Sequence, residues 1–168
     1  MKLDTLEDLL VEQLKDLYST ETQLSEALPK MADASSSNDL KKAFNEHYET
    51  TKRQLNRLEE VYSKLGLIHG KEASEPVSDM VKMGEELIRS EGNPIVKDAA
   101  LIAAAQRVEH YEMAGYGSAR TFARELGYKD VENLLQQTLN EEGTTDKKLT
   151  ALAEGGLFGT GLNKQAPK

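Results

Sequence analysis

Apolar residues recur at alternating steps of four and three along four stretches of the chain, the spacing by which a helix buries one stripe against its neighbours. The first stripe, over about residues 5 to 34, reads Leu6, Leu10, Leu14, Leu17, Glu21, Leu24, Leu28 and Met31. Pro29 should kink or strain its end, because proline lacks an amide donor and crowds the preceding turn. Residues 35 to 39 offer turn and N-cap chemistry for a second stripe of Leu40, Phe44, His47, Thr51, Leu55, Leu58, Tyr62 and Leu65, with Gly66 as its C-cap. Asn93-Pro94 is a helix start, and the third stripe runs Leu101, Ala105, Val108, Glu112, Gly115, Ala119, Phe122, Leu126 before Gly127. Its small residues allow close helix approach. The fourth stripe is Val131, Leu135, Thr138, Glu142, Thr145, Leu149 and Leu152. From 67 to 93 the pattern weakens through Gly70, Pro76 and Gly92, with room for a short helix over 77 to 89; His69 falls in this connection. Residues 155 to 168 are glycine-rich and poor in apolar side chains, so they are expected to be a flexible tail to one helical domain spanning 1 to 154.

The exceptions in the stripes carry the information. Glu21, His47, Glu112 and Glu142 stand at seam positions, one on each long helix. With about 1.5 Å of rise per residue, Glu21 lies about 15 residues from the turn near Ser36, and Glu112 and Glu142 lie about as far from Gly127, which brings all three near the midplane. A long crossover between the second and third helices puts the two hairpin turns at opposite ends, as in ferritin-like bundles. His47, Glu109 and Asp146 are then all displaced toward the first turn, a spacing that suits ligands for a second ion about 3.5 to 4 Å from the first. Carboxylates packed in a dry core repel one another unless something neutralises them, and divalent cations do so. Each residue also has a plainer reading. A seam glutamate can be a salt-bridge partner or an irregularity, His47 a core histidine bonded to a carboxylate, and Asp146 a satisfied polar group. His110 points about 100° away from Glu109 and reads as a surface residue. Tyr18, Tyr48, Tyr111 and Tyr116 read as packing.

Composition narrows the chemistry. The chain has 168 residues, 30% of them charged, 5% aromatic, and no tryptophan, which favours an all-α bundle. A formal net charge of −8 and the absence of a Lys/Arg block argue against nucleic acid as a partner. There is no signal-peptide pattern and no run of apolar residues long enough to span a bilayer, so a soluble, cytoplasmic protein without membrane attachment is expected. The chain has no cysteine, which leaves oxygen and imidazole nitrogen as metal ligands and suits iron or manganese. No phosphate-binding loop or nucleophile elbow is present.

Three stretches carry a resemblance. Residues 17 to 24 read LYSTETQL, residues 98 to 112 read DAALIAAAQRVEHYE, and residues 141 to 146 read EEGTTD. Over about residues 4 to 152 the chain resembles the YciF-like family of ferritin-like bacterial stress proteins, itself similar to rubrerythrins, whose third helix carries a Glu-x-x-Glu pair matched here by Glu109 and Glu112. The resemblance implies a ferritin-like four-helix bundle of two antiparallel hairpins, a dinuclear metal site, a role in the stress response and a homodimer. The wider ferritin-like pattern supplies Glu-x-x-His from helices two and four. Here Glu49 is followed by Lys52, and Glu142 by Thr145. A lysine could stand in for a cation, which leaves a one-metal or metal-free site open, with Glu49 as an alternative to His47.

The expected function is a stress protein whose carboxylate-rich di-iron or di-manganese centre reacts with oxygen or peroxide, as a peroxidase, catalase-like enzyme or ferroxidase. Its metal ligands would be Glu21, His47, Glu109, Glu112, Glu142 and Asp146. The alternative is a non-catalytic structural or interaction protein with a degenerate, metal-poor core in which Lys52 compensates the buried acids.

Overall fold

A computed structural model describes residues 3–68, 74–156 and 159–168. Its long helices are α1 (Leu6–Ala34), α2 (Asn38–Leu65), α4 (Pro94–Glu125) and α5 (Lys129–Glu154), with α3 (Glu75–Arg89) in the connection between α2 and α4. The turn chemistry acts as anticipated. Thr5 and Asp8 form a reciprocal capping box on α1, Ser37 caps α2, and the Asn93 side chain accepts from the Ile95 amide at the start of α4. Gly66 ends α2 in the left-handed conformation, at φ +65°. Helix α1 continues through Pro29 to Ala34.

Side-chain pairs give the direction of each helix. Asp98, fully buried at the start of α4, accepts from the amides of Ser36 and Ser37 in the α1–α2 turn over 2.9 and 2.8 Å. At the other end Tyr128, beside the α4–α5 turn, donates to Glu7 over 2.8 Å. The two hairpin turns therefore lie at opposite ends. Helix α1 packs against α2 and α4, and α5 packs against α2 and α4. This is the all-α, ferritin-like arrangement, with α3 laid across α1 and α4. Gly115 lets α4 approach α1, since a Cβ there would stand 2.9 Å from Cδ2 of Leu17.

The apolar core is split. One cluster contains Leu24, Leu28, Phe44, Leu101, Ile102 and Leu149, and the other Leu10, Leu14, Leu17, Leu58, Tyr116 and Leu135. Between them lies a buried polar layer to which all four long helices contribute.

Two local expectations differ from the structure. In α2 the buried stripe passes through Gln54, while Leu55 is half-buried. At the C-terminus, Gly155–Gly156 pairs antiparallel with Gly159–Thr160, and Leu162, at the start of α6 (Leu162–Gln165), is buried in the first apolar cluster. The glycines that resemble a tail in composition permit this return: Gly155 has φ +85°, and a Cβ on it would stand 2.6 Å from the Gly159 carbonyl oxygen. His69 and Gly70 lie outside the described residues.

Candidate metal centre

Five ionisable side chains meet in the polar layer: Glu21 from α1, His47 from α2, Glu109 and Glu112 from successive turns of α4, and Glu142 from α5. All are buried. His47, Glu109, Glu112 and Glu142 each bring one candidate ligand atom within 4.8 Å of the others, so this group could hold a metal ion. Glu21 flanks them, and its Oε1 accepts the Tyr116 hydroxyl hydrogen over 2.6 Å.

The hydrogen-bond inventory of the layer is incomplete. Glu21 Oε2, both ring nitrogens of His47, both oxygens of Glu109 and of Glu112, and Glu142 Oε2 have no hydrogen-bond donor or acceptor partner among the described residues. His47 Nδ1 stands 3.4 Å from Glu109 Oε1 without forming a hydrogen bond to it. Buried polar atoms are normally satisfied, because each one left unmet costs about 1 to 3 kcal/mol. A cluster of them around one point is what a cation site requires. The donor set of hard oxygens and an imidazole fits a divalent ion of the iron or manganese type.

Electrostatics leads to the same point. Burial, and then the neighbouring carboxylates, push Glu21, Glu109 and Glu112 well above the usual carboxylate range. Glu142 is raised to about 7 by burial, with the Gln54 amide that donates to it and the nearby Arg57 among the groups that hold it from going higher. Burial lowers His47 to about 4, which keeps its imidazole neutral near pH 7 with a lone pair available. Without a cation the layer must hold protons in place of charge.

Asp146 is not part of this group. It is one-fifth exposed and accepts from Gln106 Nε2 over 3.1 Å, with His110 Nε2 at 3.3 Å. Glu49 and Lys52 pair with each other over 2.7 Å at the surface, 59% and 43% exposed, and Lys52 lies 4.4 Å from the centre of the Tyr48 ring. Lys52 therefore does not compensate the buried acids. The residues that do support the layer do not stand out in the sequence. Gln54 donates to Glu142, and Arg57 holds the adjacent Glu141 through two bonds of 2.8 and 3.0 Å while donating to Thr138 over 2.6 Å. Gln54 is seven positions from His47, two helical turns along the same face, and that spacing was the available signal.

A family model described as a domain of unknown function (DUF892) matches residues 5–161. The chain belongs to that family. The DUF892 chain is 44% identical over 154 residues to Protein YciF of Escherichia coli (strain K12), covering 91% of this chain and 93% of that protein. The crystal structure of the E. coli stress protein YciF superposes with a TM-score of 0.87 at 42% identity, covering 89% of this chain and 95% of that one. YcfI from Rhodopseudomonas palustris gives a TM-score of 0.86 at 37% identity over 91% and 99% of the two chains. The expected YciF-like membership and ferritin-like fold hold. No helix among the described residues is long and apolar enough to cross a membrane.

Proposed function

We propose that the polar layer of this DUF892 chain is a carboxylate–histidine centre for iron or manganese, and that the protein uses it in oxidative chemistry on oxygen or peroxide during stress. The supporting observation is the buried group of His47, Glu109, Glu112 and Glu142, with one ligand atom of each gathered within 4.8 Å, and with every one of their side-chain N and O atoms except Glu142 Oε1 left without a hydrogen-bond partner among the described residues. Glu21 would join them from α1, positioned by Tyr116. A bound transition metal supplies Lewis acidity and electron transfer. The chain's own contribution is to hold the carboxylates in place, to keep His47 neutral, and to exclude water between two apolar clusters. Gln54 and the Arg57–Glu141 pair fix the α5 side of the layer. Homodimer formation and a cytoplasmic location belong to the same proposal.

The test is elemental analysis of protein purified without chelator, repeated on Glu112→Ala and Glu142→Ala variants checked for folding by circular dichroism. About one to two iron or manganese ions per chain, lost in both variants, is the expected result. Less than about 0.2 ion per chain after reconstitution with either metal would overturn it.

A second reading has one observation in its favour. Glu142 lacks the i+3 histidine of the wider ferritin-like pattern, Thr145 standing there instead, and Gln54 and Tyr116 already satisfy part of the layer. On that reading the acids stay protonated and the protein is structural. A metal-free chain whose melting temperature is unmoved by added iron or manganese would favour it.

A further inference from the structure

The crossover helix α3 leaves a cavity beneath it where it lies across α1 and α4. Its walls are hydrocarbon and thioether, including Leu28, Met31, Met80, Ala104 and Val108. Its charged and ionisable lining residues are Lys30, His47, Glu85 and Glu109. At the rim, Lys30 of α1 pairs with Glu85 of α3 over 2.9 Å. At the floor stand His47 and Glu109, the two residues of the layer nearest this side, with both ring nitrogens and both carboxylate oxygens unpartnered. The cavity is narrow, about 20 Å³. One water-sized molecule needs roughly 10 to 15 Å³ on the same measure.

We infer that this cavity is a binding site for a small apolar molecule of about the size of dioxygen, placed so that its occupant lies against the His47–Glu109 edge of the metal centre. The hydrocarbon walls offer a water molecule none of the two to four hydrogen bonds that hold water inside proteins, so away from the His47–Glu109 floor they favour an apolar guest. The significance of the floor rests on the metal-centre reading, whereas the cavity itself does not.

Gly84 shows that the space is built in. It is buried in the middle of α3 and lines the cavity, and a Cβ added there would meet nothing within 4 Å. Glycine inside a helix costs roughly 1 kcal/mol relative to alanine. Alanine would therefore fit this position and strengthen the helix, and it would do so by filling the cavity.

The test uses xenon, a spherical apolar probe of suitable size, on the chelator-treated full chain. Xenon-129 chemical-shift titration is read together with the imidazole proton signals of His47. Saturable binding that moves the His47 signals is expected, with at least a tenfold loss of affinity in Gly84→Leu and an intermediate loss in Gly84→Ala. Both variants should keep native circular dichroism and the metal content of the parent. The Ala variant keeps the experiment decisive if Leu proves too large to fold. Absence of saturable xenon binding, or binding that leaves His47 unmoved or is indifferent to both substitutions, would overturn the inference. Xenon binding in a chain that takes up no metal would overturn the functional reading and leave the cavity standing. Metal without xenon binding would do the reverse.

Discussion

Tyr116 on α4 donates its phenolic hydrogen to Glu21 on α1 over 2.6 Å, entirely inside the bundle. This bond connects the two hairpins across the polar layer and supplies Glu21 with its one donor among the described residues. It also restrains the rise in the Glu21 pKa that burial and Glu142 produce. Replacing Tyr116 with phenylalanine keeps the ring packing and removes the donor. The expected result is a loss of about 1 to 3 kcal/mol in urea denaturation of the metal-free chain. If Glu21 belongs to the metal centre, metal affinity should also fall by about 10- to 100-fold, the usual effect of removing a group that orients a ligand. An unchanged affinity would place Glu21 outside the centre.

The metal-free chain should be most stable in mild acid. Glu21, Glu109 and Glu112 titrate well above their ordinary range in the fold, and Glu142 at about 7, whereas in the unfolded chain all four return to about 4.3. Folding therefore takes up protons above that range, and stability falls as pH rises through the folded values. His47 works the other way. Its folded value of about 4 lies below the ordinary value of about 6.5, so the unfolded imidazole binds a proton first and stability is lost as pH falls between the two. Four carboxyls outweigh one imidazole. Denaturation of chelator-treated protein at pH 5.5 and pH 8 should show greater stability at the lower pH, at up to about 1.4 kcal/mol per pH unit for each proton taken up. A flat profile would mean that the acids are not buried as described.

Lys52 offers a control. Paired with Glu49 at the surface and stacked on Tyr48, it should contribute no more than about 1 kcal/mol, so Lys52→Met should leave stability nearly unchanged and metal content the same. A large drop in either would return Lys52 to the core and revive it as a compensating cation.

The burial of Glu21, His47, Glu112 and Glu142 was legible because each interrupts an otherwise apolar stripe, and Glu109 followed one turn from Glu112. Lys52 and Asp146 show where periodicity stops being informative. Both stand at helical spacings compatible with the core, and both sit just past its edge, where a rotation of the helix by a fraction of a residue sends a side chain to solvent. Gln54 was hidden for the converse reason. Leu55 beside it looks like the better seam residue, and only the α5 partner Glu142 makes an amide preferable at that point. The C-terminal return was unreadable because its glycines serve close backbone approach, and composition does not distinguish that use from flexibility. Leu157, Phe158 and Leu162 carry what apolar signal the sequence offers there.

The division of the apolar core into two clusters has a consequence for how the helices are aligned lengthwise. Leucine slides past leucine at little cost, and a bundle with an unbroken apolar seam can be shifted by a whole turn, about 5.4 Å, without exposing much of anything. Here such a shift of α4 along α1 would carry Glu112 into the neighbourhood of Leu17 or Leu24 and leave Tyr116 without Glu21. The polar layer thus works as a detent: whatever it binds, it admits one longitudinal setting of the four helices and penalises the rest.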